Sequence, residues 1–107
     1  MKDLERSVRD LVGSTDATTL SNVIMRVPDK VCAAAFAILS DDARARLYAV
    51  IGDTKAHRIR EEIRIETRRR TSAAVRAGLV RVFLAYFRHR ATAAPRIWIR
   101  PMRRRRP

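Results

Sequence analysis

One cysteine, one tryptophan, two histidines, three glycines and four prolines stand among 107 residues. The lone Cys32 has no partner for an internal disulfide, so the fold cannot rest on cross-links, and nothing points to an oxidising compartment. His57 and His89 lie 32 residues apart, and no second Cys or carboxylate offers them ligand spacing, which excludes a zinc finger or similar metal centre. There is no Gly-rich phosphate loop and no Ser in a nucleophile elbow. The longest apolar run, LVRVFLAYF, is broken by Arg81 and falls far short of the roughly 20 residues a bilayer requires. The opening MKDLERSVRDL alternates charge and lacks the apolar stretch of a secretory signal. These absences predict a cytoplasmic protein with no transmembrane segment, no cofactor and no small-molecule substrate.

What the chain does have is apolar content of 47% with 33% charged residues, enough for one domain with a modest core. The net charge of +13 is unevenly spread. Residues 1–53 carry seven Lys or Arg against eight Asp or Glu, whereas residues 54–107 carry seventeen against three. An acidic or polyanionic partner for the second half follows as a physical expectation.

Helical periodicity recurs with short breaks. Leu4, Val8, Leu11 and Val12 form a first stripe that closes at Gly13-Ser14. Thr15 or Asp16 caps a second helix with Leu20, Val23, Ile24 and Val27 inward. Pro28 opens a third, carrying Cys32, Phe36 and Leu39, in which AAAFA gives a surface for close approach. Ser40 caps a fourth, with Asp41 and Asp42 complementing its dipole, and Gly52 ends it after Ala43, Leu47, Val50 and Ile51. A fifth starts near Asp53 or Thr54 with Ala56, Ile59 and Ile63 facing in. Thr71 or Ser72 caps a sixth with Val75, Leu79, Val82, Phe83 and Tyr86 inward, although nothing forbids one bent helix across both. The tail differs: Pro95 and Pro101 bracket an alternating, extended RIWIR, followed by a self-repelling Arg run.

Paired carboxylates do not make a catalytic site here. Glu61-Glu62 and Asp41-Asp42 are adjacent, so each pair diverges by about 100° on a helix. A helix-turn-helix would present Lys55, Arg58 and Arg60 to a major groove, but Glu61, Glu62 and Glu66 lie along the same helix and base-reading Asn or Gln is missing. The plain helix–helix joint, with the Glu pair in solvent, is favoured. The sixth helix carries a second apolar row, Val80, Leu84 and Phe87, which either makes it the central helix of a bundle or forms a docking face. Arg81 and Arg88 beside it also allow a membrane-surface reading. Arg96, Arg100 and Arg103, Arg104, Arg105 and Arg106, with Trp98 interleaved and Arg68, Arg69 and Arg70 upstream, are the polyanion-binding candidates.

From DATTLSNVIMRVPDKVCAAAFAILSDDARARLYAVIGDTKAHRIREEI onward, the order of elements resembles the flagellar motor switch protein FliG family. Asp16, Leu20, Val23, Ile24 and Val27 fit the first helix of that family's armadillo-like unit, and Asp29, Val31, Ala34 and Ala35 fit the second. Ser40, Arg46, Leu47 and Ile51 fit the third, and Ala56, Arg58, Ile59, Arg60, Glu61, Glu62 and Ile63 the fourth. Residues 72–88 stand where the family has a last amphipathic helix. A magnesium-transporter regulatory domain has a similar repeat, but the RIREEI ending favours FliG. The family's Glu-His-Pro-Gln element, its Leu-Gly-Pro after the Glu pair and its stator-facing domain are missing. What the resemblance implies is a stacking module that packs helix faces against another copy or another rotor protein.

The expectation is an all-α fold, an armadillo-like or orthogonal array of five to six short helices over residues 1–92, with a basic, extended and flexible tail over 93–107. Val80, Leu84, Phe87 and Trp98 are the protein-interface candidates. The expected place is the cytoplasmic face of the flagellar basal body. Nucleic-acid binding through the basic second half is the competing class.

Overall fold

The computed structural model describes residues 2–99, with side chains through residue 88. It is all-α: α1 Lys2–Ser14, α2 Ala17–Arg26, α3 Asp29–Ala37, α4 Asp41–Val50, α5 Asp53–Arg69 and α6 Ala73–Ile99. Local chemistry explains the breaks. The Asp16 carboxylate accepts the Thr19 N–H at 3.0 Å and caps α2. The Ser40 hydroxyl accepts the Ala43 N–H at 3.2 Å and caps α4. Both satisfy N–H groups that a helix start leaves without partners. Between α4 and α5 the chain extends through Ile51 and Gly52.

α5 and α6 are separate helices. Arg70 sits in the left-handed region at φ 54°, ψ 49°, and its N–H donates to the Glu66 carbonyl at 3.1 Å. That residue ends α5 in the manner usually left to glycine. Ser72 then caps α6, accepting the Val75 N–H at 3.2 Å.

α3 is the central helix, packed against both α5 and α6, while α1 lies on α6 and α2 on α4. Val31 through Phe36 are all buried, so the small residues of AAAFA do admit neighbours closely. Phe36 anchors the core, its ring centroid 5.4 Å from Tyr48 and 6.4 Å from Phe83, with Phe87 5.2 Å beyond Phe83. Val8, Ile24, Leu47 and Ile59 close it from four other helices.

Two expectations for α6 are corrected. Val80 and Phe87, named as interface candidates with burial in a bundle as the other reading, are buried in the core, and Leu84 is half-buried against it. Val75 and Val82, assigned inward, are instead exposed. The buried side of the helix runs between the two rows, taking Phe83 from the inward row and Val80 and Phe87 from the second, with Leu79, Leu84 and Tyr86 half-buried beside them. Phe83 and Phe87 each gain about 1.5–3 kcal/mol on burial, which exceeds what the smaller Val75 and Val82 offer.

A further correction concerns residues 93–99, expected to be extended but helical as the last turns of α6. Pro95 deprives the Ala91 carbonyl of its helical donor. The surrounding run is rich in Ala and Arg, and a helix already nucleated gains a bond with each further residue. Residues 100–107, with the predicted arginine run, lie outside the described residues.

Candidate interaction surface

None of the nucleophile or metal candidates gathers into a site. The Cys32 thiol is buried, and that burial pushes its pKa up to about 12, so it stays protonated. His57 is exposed, and the side chain of His89 lies outside the described ones. No group of three or more His, Cys, Asp or Glu converges among the described residues. Glu61 pairs with Arg64 at 2.8 Å, and Asp41 pairs with Arg44.

Lys55, weighed as a groove-reading cation, is only 4% exposed. Its Nζ donates to the Val27 carbonyl at 2.6 Å and to Asp29 Oδ1 at 2.7 Å, while Arg58 Nε donates to Asp29 Oδ2 at 3.0 Å. One ammonium thus joins the end of α2, the start of α3 and the first turn of α5. Burial acts to raise the Asp29 pKa, but the hydrogen bond and charge of Lys55, then those of Arg58, outweigh it and hold the carboxyl below its usual value. The signal was present in the sequence. Lys55 precedes Ile59 by one helical turn and so shares its buried face.

A second tie closes the other end of α5. Glu66 accepts from the Thr71 hydroxyl, with Lys30 at 3.7 Å and Arg69 at 3.8 Å. The Thr71 bond is the main cause of its lowered pKa. Glu62, expected in solvent, is half-buried, and its Oε2 is enclosed without a hydrogen-bond partner. Arg60 is on the surface, stacked 4.2 Å from the Tyr48 ring centroid.

The polyanion candidates divide by position. Arg68, Arg69 and Arg70 are exposed at the C-terminal end of α5, where cations complement the helix dipole. Arg96 and Trp98 belong to the last turns of α6, with side chains outside the described ones, and Arg100 and Arg103–Arg106 lie beyond. End of α5 is also a charge boundary. Residues 1–66 hold eleven cations and eleven carboxylates, whereas residues 67–107 hold thirteen Arg and no Asp or Glu. The whole formal excess therefore sits on α6 and its flanks.

Two apolar surfaces remain. Ser7, Asp10 and Leu11 of α1 with Leu84, Phe87 and Arg88 of α6 line an open groove of about 550 Å³. Of the predicted interface row, only this groove still offers Leu84 and Phe87 an outlet. The other surface is the outward side of α6, where Val75 is 53% and Val82 43% exposed. No described helix is long and apolar enough to cross a membrane. No family model, curated protein or solved structure matches the chain.

Proposed function

We propose that the chain is a non-enzymatic protein–protein interaction module, a FliG-like adaptor associated with the rotor at the cytoplasmic face of a flagellar motor. The carrying observation is on α6: a helix that already seats Val80, Phe83 and Phe87 in the core keeps Val75 and Val82 in water on its other side. Leaving two valines exposed on one helix face forgoes burial that a partner can supply. The order of capped short helices followed by a long amphipathic one supports the FliG-like form of the module. The test is fractionation of native cells. The full chain is expected to travel with basal bodies and to stay with them in high salt. Recovery apart from the motor, with release by nuclease, contradicts the proposal.

A second reading is favoured by one observation, the thirteen arginines without a carboxylate after residue 66. It makes the chain a binder of nucleic acid or of an acidic surface, with affinity falling linearly in log[salt]. Removing residues 101–107 then lowers heparin retention steeply, while apolar docking through α6 persists.

A further inference from the structure

The exposed side of α6 has a regular pattern. Val75, Gly78, Val82 and Ala85 recur at intervals of three, four and three residues, the spacing that keeps one seam facing a neighbouring helix. The valines are exposed, and Gly78 and Ala85 are half-exposed between and beyond them. The pattern alternates β-branched and very small residues, which lets two helix backbones approach closely.

Gly78 stands inside that pattern. It lies inside a 27-residue helix, where glycine is the costliest residue short of proline. A Cβ built at Gly78 meets no atom within 4 Å. Packing within this chain therefore does not require a glycine, and its φ is not positive. What the missing side chain does provide is an opening in the outward seam.

Charge decides what fits the opening. Arg81 is exposed beside Val82, and α6 carries no Asp or Glu anywhere along its length. A second copy of α6 would bring arginine against arginine with no carboxylate to offset it. We infer that the outward seam of α6 receives an acidic amphipathic helix from a different protein, its apolar stripe seated over Gly78 and its Glu or Asp side chains set against Arg81. This rests on the protein-interaction reading and names the chemistry of the partner.

The probe is a synthetic 21-residue helix with Leu and Ala in a three-four repeat and Glu on both flanks, labelled for fluorescence anisotropy. A sister peptide carries Lys on the flanks, and a third carries the acidic composition in scrambled order. The full chain is expected to bind the Glu helix and neither of the others. Gly78→Leu and Val82→Asp are each expected to weaken that binding at least tenfold. Both variants should melt no lower than a few degrees below the wild type, because neither position faces the core. Gly78→Ala is the control for folding, and it should raise the melting temperature. Equal binding of the scrambled peptide, or binding indifferent to Val82→Asp and Gly78→Leu, overturns the inference and leaves diffuse attraction to arginine. Sedimentation of the wild type as a dimer that Val82→Asp dissociates overturns it in favour of self-association. If the Glu helix binds as stated while the chain is recovered apart from basal bodies, the seam stands and the motor assignment falls.

Discussion

Replacing Lys55 by Met isolates the role of the buried ammonium, because methionine keeps an apolar stem of similar length and removes the ammonium's charge and its N–H donors. Lys55 Nζ is the donor for the Val27 carbonyl at 2.6 Å and for Asp29 at 2.7 Å. After the change the carbonyl at the end of α2 keeps only the weak Cys32 thiol donor at 3.8 Å, a loss of about 1–3 kcal/mol for a buried acceptor. Asp29 contributes less. Its side chain is 28% exposed and keeps Arg58 at 3.0 Å, so its share is about 0–1 kcal/mol. Relief from burying an ammonium acts in the opposite direction. The expected net is a destabilisation of about 1–3 kcal/mol, read from urea midpoints at unchanged m. The acid limb supplies a second readout. The Asp29 carboxyl titrates below its ordinary value of 3.8 in the folded state, so its contribution is present above that pH and is lost as pH falls below it. The Met variant should lose less stability on acidification than the wild type, although Arg58 keeps part of the effect. A neutral or stabilising Lys55→Met with an unaltered acid limb would refute the idea that this ammonium joins three helices.

Ile59→Ala, at a fully buried position, should cost about 2–5 kcal/mol in thermal or urea melts, whereas Ile63→Ala at a half-buried one should cost distinctly less. Arg70→Gly relieves a side chain held at φ 54° and is expected to stabilise by about 0.5–1 kcal/mol, visible as a higher melting temperature. Asp16→Ala removes the cap of α2 and should lower the urea midpoint at neutral pH. Its penalty should shrink as pH falls below 3.8, because the hydrogen bonds from Thr19 hold the folded carboxyl below that value.

Short-range signals were legible in the sequence. Asp16, Ser40 and Ser72 all cap where a polar side chain precedes an apolar stripe, and the stripes of α1 to α4 point as their spacing says. Two equally apolar rows on one helix gave no such guidance. Periodicity cannot say that the buried side takes Phe83 from one row and Val80 and Phe87 from the other, because the choice depends on what meets Phe36, more than forty positions away from all three in sequence. Lys55 is hard to place from the sequence for the opposite reason. Its type suggested solvent while its phase with Ile59 placed it inside, and only the carbonyl of Val27 and the carboxylate of Asp29 reconcile the two. Helix propagation past Pro95 ran against the usual breaking rule, since one missing rung late in a long Ala-rich helix need not end it.

The most direct measurement of the docking claim is photo-crosslinking in native cells from a reactive side chain placed at position 82, with position 46 as an exposed control on α4. One protein adduct is expected at 82 and none at 46. Mass spectrometry should place the attachment on an acidic amphipathic helix of a motor component. Adducts to nucleic acid at position 82, or no adduct there while a reactive group at position 103 labels nucleic acid, would contradict it.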